Sequence, residues 1–555
     1  MKRLRIAHCE LRMAQQLWAA SVVVAASTAS AQVDRTTSRM DPYVVHSGIH
    51  QGDEDRPAVP FAQTVYVPDA QWLRLSLGDY ELGRESHILV RSVATGAEQK
   101  MTATALQNWH NNTALFGGDA LEVELHVAAG EQKIFVELSA VWVGLGTPVA
   151  IHRDWGPLAP GPSDPDFIDP VAGDAPEGGG DPPEALCGGD NRVASNDARV
   201  GRLFIGGCTA WMAADGAFLT AGHCVDGDPD QSGPGLPDGV PDAGFLNAVV
   251  EFNVPPSLPN GVYQPALPQD QYPVSGSYVA YQFAGMNADF DSIGADWAVF
   301  HVGPNANGVT PQQAQNAFFR VIGASESTVG QTLRVTGYGW DWTPAGTGLS
   351  HCQGGSNAGG VCFGNLQCPG GTCVAPFCCD GDQNTTCDSN CNAQSATQQT
   401  ATGVCTDVED NNSTAWFRYE VDTTPATSGS PVIREANGKA LGINTNADIG
   451  CDDGGNWGIT FDQDTLHDFL NTYIFGDEVE YADTATVFCV FGTCTGTIYQ
   501  PHPMIPAAVE GVASDGAVVI IPGNYTAANG NVFVAGDDGK AITFIAPFGG
   551  VVIGD

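Results

Sequence analysis

Short runs in which apolar and polar residues alternate recur along this sequence, with turn-forming residues between them. Between residues 72 and 143 they read WLRLSLGD, SHILVRSV, ALEVELHV and KIFVELSAVWV. A period of two is typical of strands with one buried face. The chain of 555 residues also holds 68 glycines and 35 prolines, which favour short strands and loops over long helices. These features predict an all-β protein.

The first 31 residues have the organisation of a secretory signal peptide. Basic residues at positions 2, 3 and 5 precede a short apolar core, LWAASVVVAA, and small residues follow at 29–31. That core is too short to cross a bilayer, and no later stretch is long and apolar enough. We therefore expect cleavage after Ala31 and a secreted, extracellular protein without a membrane span.

Changes in composition divide the rest of the chain. Residues 32–150 carry the alternating runs and predict an antiparallel β-sandwich, in which LQNWHNNTALFGGD (106–119) forms a structural turn. Residues 151–186 are rich in proline, glycine and aspartate, which predicts a linker. Residues 187–475 form a further β-rich domain. Residues 476–555 resemble the opening coils of right-handed parallel β-helix proteins, and we expect an accessory module there.

The cysteines indicate an oxidising compartment. Eight of them crowd into an insert at 345–395 with few apolar residues, so disulfides are expected to hold it together, with zinc binding as the weaker alternative. Of 16 cysteines, Cys9 lies in the leader, which leaves 15 and predicts one that is free or bonded to another chain. One possible pair is Cys405 with Cys451.

The charge balance excludes one class of partner. The net charge is −41 with only 22 lysines and arginines, so nucleic acid, which needs a cationic surface, is not expected as a partner. Asp226, Asp228 and Asp230 alternate as in a calcium loop, but Gln231 replaces the usual glycine and no glutamate follows at the twelfth position. An acidic solvated loop is the favoured interpretation, and Ca²⁺ is the alternative.

Three segments carry residue types suited to acyl transfer. TAGHC (220–224) places His223 at the end of an apolar run, and GADWAVFHV (294–302) places Asp296 at the head of another. TTPATSGSPVI (423–433) places Ser428 in a tight turn of small residues, where backbone amides can face a substrate carbonyl. A buried carboxylate needs a cationic or donor partner, and a histidine supplies one.

TAGHC, DWAV and TSGSPV, in this order, resemble the chymotrypsin/trypsin family of serine peptidases, most closely the bacterial branch that includes the glutamyl endopeptidases. The resemblance spans about 187–475 and implies a chymotrypsin-like double β-barrel of two six-stranded barrels. It implies Ser428 as nucleophile, His223 as base and Asp296 as its orienting carboxylate. It also implies an oxyanion hole of the Ser428 and Ala426 N–H groups, and a disulfide between Cys208 and Cys224.

The departures from the family concern the turn and the specificity residues. Alanine at 426 replaces a glycine, so the oxyanion hole would be distorted if that turn needs a positive φ. Asn444 replaces the histidine by which glutamyl endopeptidases bind their substrate, which argues against glutamate preference. By resemblance, Thr445 supports the catalytic carboxylate, and Asp422 lies at the base of the specificity pocket. The candidate substrate-binding residues are Asp422, Thr423, Asn444, Thr445 and Asn446.

Together these features predict a secreted serine endopeptidase that hydrolyses protein or peptide substrates through an acyl-enzyme and requires no cofactor or metal. The alternative is a protease-fold binding or adhesion protein with an impaired oxyanion hole. A third, weaker interpretation makes the C-terminal module a fragment of a carbohydrate-binding protein or lyase. The preferred substrate residue, the oligomeric state and the activation route stay open at this stage.

Overall fold

The structure is a computed structural model. It describes residues 38–145, 191–204, 207–226, 241–257, 263–283, 294–339, 351–353, 372–374, 396–409, 415–424, 426–447, 455–463, 465–466, 469–470, 479–482, 501–512, 517–525, 543–548 and 551–553. The predicted signal peptide and linker lie outside these residues, as does most of the 345–395 insert. Among the described residues, no helix is long and apolar enough to cross a membrane.

The N-terminal part folds into two antiparallel sheets that share one core. The elements are β1 (Ser38–His46), β2 (His50–Gln51), β3 (Ala58–Tyr66), β4 (Ala70–Glu81), β5 (His87–Ser92), β6 (Glu98–Met101), α1 (Ala103–Asn108), β7 (Phe116–Gly117), β8 (Ala120–Val127) and β9 (Gln132–Leu145). One sheet has the order β1-β9-β4-β7, with β2 also paired to β9, and the other has the order β3-β8-β5-β6. Leu73 and Val143 of the first sheet meet Val90 and Val123 of the second in a single buried cluster.

The central part contains fifteen described strands, of which twelve form two barrels. They are β10 (Val193–Ala194), β11 (Val200–Phe204), β12 (Cys208–Met212), β13 (Phe218–Thr220), β14 (Val249–Glu251), β15 (Gln271–Phe283), β16 (Asp296–Val302), β17 (Thr332–Gly337), β18 (His351–Gln353), β19 (Thr372–Val374), β20 (Gln399–Glu409), β21 (Trp416–Tyr419), β22 (Pro431–Arg434), β23 (Lys439–Ala447) and β24 (Asn456–Thr460). The helices α2 (Ala243–Leu246) and α3 (Pro311–Gln315) and three 3₁₀ turns, Gly222–Cys224, Pro268–Asp270 and Glu326–Thr328, connect them. Strand β10 adds to the edge of β20, and β18 and β19 pair, among the described strands, only with each other.

Each barrel closes with six antiparallel strands. The first has the order β11-β12-β13-β16-β15-β14, and β14 pairs back to β11. The second has the order β20-β17-β22-β23-β24-β21, and the β20–β21 pairing closes it. A buried apolar cluster, which contains Trp211 of the first barrel and Ile443 of the second, joins the barrels to each other. The all-β class and the chymotrypsin-like double barrel expected from the sequence are thereby confirmed.

The C-terminal module differs from the barrels because its strands pair in parallel. The elements are β25 (Val479–Ala482), α4 (Ile505–Gly511), β26 (Ala517–Ile520), β27 (Gly523–Tyr525), β28 (Thr543–Ile545) and β29 (Val551–Ile553). β26 lies between β25 and β28, and β27 pairs with β29. Val519 and Ile521 enter the cluster between the barrels, and the Phe548 ring lies 4.5 Å from the Phe318 ring. The module is therefore packed against the barrels rather than attached as a separate body.

The sandwich is likewise joined to the first barrel, through the segment expected to be a simple turn. The Gln271 side chain donates to Leu115 O at 2.8 Å and accepts from Leu115 N at 2.9 Å. His110 Nε2 lies 2.7 Å from Val274 O. Phe204 of the barrel enters the sandwich core, with its ring 5.5 Å from that of Trp72. The 106–119 segment is thus an interface as well as a turn.

Candidate active site

His223 is held by its neighbours in the sequence. It lies in the 3₁₀ turn Gly222–Cys224 directly after β13, and Cys224 is joined by a disulfide to Cys208 at the start of β12. A Cβ at residue 222 would lie 2.1 Å from Gln282 O, so only glycine allows the turn to approach β15 this closely. The sequence TAGHC therefore fixes the histidine backbone at the edge of the first barrel.

Asp296 binds this histidine through both of its carboxylate oxygens. Oδ1 accepts the His223 main-chain N–H at 2.8 Å, and Oδ2 lies 2.8 Å from Nδ1. The aspartate is 2% exposed and the histidine 9%, so water screens the pair little. With the Nδ1 hydrogen directed to the carboxylate, the neutral ring keeps its lone pair on Nε2, the atom needed for a general base.

Ser428 lies in a turn that is bound to the first barrel. Its carbonyl accepts the Thr209 N–H at 2.8 Å, although its chain neighbours belong to the second barrel. Gly429 follows with φ 86°, and a Cβ there would lie 2.1 Å from Thr220 Oγ1 and 3.1 Å from Ala221 N. Ser428 is partly exposed, whereas the residues on either side are buried. The residue after the serine therefore lies against Thr220 and Ala221, which directly precede the turn that carries His223.

Ala426 adopts a backbone conformation that favours glycine. Its φ is 78°, in the left-handed region that residues with a side chain rarely occupy. Its carbonyl accepts the Thr209 hydroxyl at 3.2 Å. Within the described part of the chain, the Ala426 N–H has no hydrogen-bond acceptor. The turn therefore has the positive φ on which the expectation of distortion depended, and it keeps this conformation despite the alanine.

Asn444 is fully buried and bonded within the chain. Its amide donates to Thr427 O at 3.3 Å, its Oδ1 accepts the Tyr419 hydroxyl at 2.5 Å, and its main-chain carbonyl accepts the Gly429 N–H at 2.7 Å. This side chain holds the serine turn against β21 and β23. The geometry therefore gives the predicted substrate-binding residue a structural task.

The other predicted specificity residues lie around the same strands. Asp422 is buried and its Oδ2 accepts the Asn191 N–H at 2.8 Å, so the carboxylate is bound by a residue just after the predicted linker. The hydroxyls of Thr423 and Thr445 are buried and make no hydrogen bond within the described residues, so Thr445 does not donate to Asp296. Asn446 is partly buried and lies opposite Trp457 on β24.

Two possible metal sites differ in what the structure shows of them. Cys208, His223 and Cys224 bring three ligand-type atoms within 4.8 Å of one another. The two sulfurs are joined in the disulfide, so neither is the thiolate that a metal would need. In the acidic segment for which Ca²⁺ is the alternative interpretation, Asp226 is buried and accepts the Tyr281 hydroxyl at 2.9 Å. Asp228 and Asp230 lie outside the described residues.

Thr209 is the residue that sequence reasoning passed over. It donates its N–H to Ser428 O, and its hydroxyl accepts the Tyr338 N–H at 2.9 Å while donating to Ala426 O. It also accepts the Thr220 hydroxyl at 2.8 Å through its carbonyl. The only sequence signal was its place directly after Cys208 in GGCTAW.

Comparisons with solved structures return serine proteases. A Glu endopeptidase is 16% identical with a TM-score of 0.31, over 52% of this chain and 97% of that one. A thermostable serine protease from an extremophilic microorganism is 16% identical with a TM-score of 0.27, over 48% and 92%. An inactivated protease paralogue of the scabies mite is 9% identical with a TM-score of 0.27, over 52% and 97%. No family model and no curated protein matches the sequence.

Proposed function

We propose that this chain is a secreted serine endopeptidase in which Ser428, His223 and Asp296 act as a catalytic triad. The observation that carries the proposal is the pair of hydrogen bonds that Asp296 accepts from His223, at 2.8 Å to each carboxylate oxygen. It fixes both the backbone and the tautomer of the histidine beside a partly exposed serine. A purely structural histidine does not require that arrangement.

In the proposed reaction, Ser428 Oγ attacks the carbonyl carbon of the scissile peptide bond while His223 Nε2 accepts its proton. The N–H groups of Ser428 and Ala426 stabilise the oxyanion of the tetrahedral intermediate. His223 then donates the proton to the leaving amine, which leaves an acyl-enzyme. A water molecule, deprotonated by the same nitrogen, hydrolyses the acyl-enzyme and regenerates the serine. Asp296 stabilises the imidazolium that forms in both halves.

The proposed specificity follows from what Asn444 and Asp422 contact. Asn444 stands where glutamyl endopeptidases have the histidine that binds a substrate glutamate. Its side chain is hydrogen-bonded to Thr427 and Tyr419. Asp422 is bound by Asn191, which weakens the case for selection of arginine or lysine by that carboxylate. We therefore propose a pocket that selects an uncharged side chain.

The test is hydrolysis of a diverse peptide library by the purified mature chain, with products identified by mass spectrometry. The Ser428→Ala variant is the matched control. Loss of the serine hydroxyl should lower the rate of hydrolysis by several orders of magnitude. Cleavage that persists in Ser428→Ala would contradict the proposal.

The second candidate is a protease-fold binding protein, and the left-handed alanine at residue 426 is what favours it. That conformation costs about 1 to 2 kcal/mol relative to glycine, which could lower the occupancy of a competent oxyanion hole. A chain that is inactive both before and after limited proteolysis would support this candidate, because limited proteolysis would activate an enzyme that is made as a latent precursor.

A further inference from the structure

Ala426, whose N–H belongs to the proposed oxyanion hole, has a backbone conformation that is unfavourable for an alanine. Ala426 is 3% exposed and has φ 78°, so its methyl group is enclosed while its backbone occupies a region that favours glycine. An alanine released from its surroundings prefers negative φ. Such a change would rotate the 425–426 peptide group, and with it the Ala426 N–H. Contacts with surrounding residues must therefore hold Ala426 in its left-handed conformation.

The Ala426 side chain belongs to a small buried cluster. Its members are Ala396 and Ala426, and the Tyr263 side chain covers it. Tyr263 also packs against the core of the N-terminal sandwich. Ala396 follows the cysteine-rich insert in the chain, and its N–H donates to Gly339 O at 2.8 Å. The turn is thus connected on one side to the sandwich and on the other to the end of the insert.

A buried ion pair fixes the backbone on both sides of this cluster. The Arg202 guanidinium donates from Nη1 to Ala396 O at 3.0 Å and from Nη2 to Gln264 O, next to Tyr263, at 2.8 Å. Glu251 accepts from Arg202 Nε at 2.9 Å and from Nη2 at 2.6 Å. Its other oxygen accepts the Ala266 N–H at 2.9 Å. Arg202 is 4% exposed and Glu251 fully buried, so the pair is held in one geometry.

We propose that Tyr263, fixed together with Ala396 by the Arg202–Glu251 pair, is a positioning residue that keeps Ala426 in its left-handed conformation. The proposal rests on the proposed serine endopeptidase function. Loss of the Tyr263 ring removes the contact that opposes relaxation of the alanine, so the oxyanion donor turns away from the site. A glycine at 426 adopts the same conformation without a Cβ penalty and does not need that contact. The oxyanion hole of this chain therefore depends on residues outside the active site.

The test is a double-mutant cycle on residues 263 and 426. We expect Tyr263→Ala to lower kcat at least tenfold with KM nearly unchanged, because the oxyanion contact is made mainly in the transition state. In the Tyr263→Ala/Ala426→Gly double variant, kcat should recover to within about threefold of wild type. Tyr43→Ala is the matched control, since Tyr43 packs against the same sandwich core but not against the cluster of Ala396 and Ala426. It should leave kcat unchanged.

The outcomes separate this proposal from the function on which it rests. Equal loss of kcat in Tyr263→Ala and in the double variant would mean general damage and overturn the positioning role. A wild-type chain without activity would overturn the proposed function instead. In that case the ¹³C-methyl resonance of Ala426, assigned by its absence in Ala426→Gly, decides the positioning role. It should move in Tyr263→Ala but not in Tyr43→Ala, and a resonance that both variants leave unmoved would overturn the contact.

Discussion

At the scale of single residues, the two oxygens of Asp296 have separate tasks. Oδ1 accepts a main-chain N–H and holds the turn, whereas Oδ2 faces the imidazole. Removal of the negative charge while the shape is kept therefore tests the proposed catalytic task separately from the structural one. An asparagine can still accept the main-chain hydrogen bond, but it favours the wrong histidine tautomer when its amide donates to Nδ1.

Asp296→Asn should lower kcat by about 10⁴-fold with little change in KM. The reason is that the Nε2 lone pair is no longer available to take the serine proton. Steady-state kinetics on a peptide substrate measures both constants, and circular dichroism checks that the fold persists. A variant whose kcat stays within tenfold of wild type would contradict the assignment of Asp296.

A second prediction concerns Cys405, which is a free, buried thiol and not half of the bridge considered from the sequence. Burial raises the pKa of Cys405 to about 11. At pH 8 only about one thiol in a thousand is then ionised, so iodoacetamide should modify Cys405 slowly in the native protein and faster as the pH rises. Peptide mass spectrometry measures this. Alkylation at the rate of an exposed cysteine would contradict it, and denatured protein is the control.

At the scale of elements, β12 connects the first barrel to the serine turn. Its second residue, Thr209, bonds Ser428 through its main-chain N–H, and it bonds Ala426 and Tyr338 through its hydroxyl. Because β12 belongs to the first barrel and the serine turn leads into the second, these hydrogen bonds fix how the two barrels are aligned at the site. The disulfide from Cys208 to Cys224 joins the same strand to the histidine turn.

Thr209→Val should lower the free energy of unfolding by about 1 to 3 kcal/mol, because the buried Tyr338 N–H loses its acceptor. It should also slow peptide hydrolysis, since the Ala426 carbonyl loses a donor. Thr209→Ser is the matched control, because it retains the hydroxyl, and it should stay close to wild type in both respects. Thermal denaturation and kcat measure the two effects. Identical behaviour of the valine and serine variants would refute the role of the hydroxyl.

At the scale of the whole molecule, the sandwich is built into the first barrel. Arg74 is buried in the sandwich, and its guanidinium donates to Thr113 O at 2.8 Å and across the interface to Asn247 O at 2.5 Å. Burial lowers the pKa of Arg74 to about 10, although Glu251 of the barrel opposes this shift. Gln271 bridges the same interface with its fully buried amide. Such contacts are typical of a permanent interface rather than of a segment that is released.

We therefore expect the two parts to stay together after the chain is cut between them. A specific protease site introduced into the predicted linker (151–186) allows that cut, and size-exclusion chromatography should show one complex. Gln271→Ala should promote dissociation, because Leu115 then loses both of its partners in a buried interface. Gln71→Ala, on the outside of the sandwich, is the control. Separation of the cut wild-type halves would contradict this account.

Local patterns in the sequence predict the strands, whereas the double barrel and the roles of the three motifs are predicted only through the family resemblance. Alternation predicts strands, and TAGHC places a glycine where β15 approaches. The contacts of Tyr263 and Gln271 could not be predicted, because their partners lie far away in the chain and only the folded barrels bring them together. Likewise, the positive φ of Ala426 is set by its surroundings against its own preference.

The most direct test of the central claim is labelling of the purified mature chain with a fluorophosphonate, followed by peptide mass spectrometry. The account predicts one adduct, on Ser428, which is absent in Ser428→Ala and slow to form in Asp296→Asn. No adduct on a folded chain, either before or after limited proteolysis, would contradict an activated serine and favour the binding protein instead.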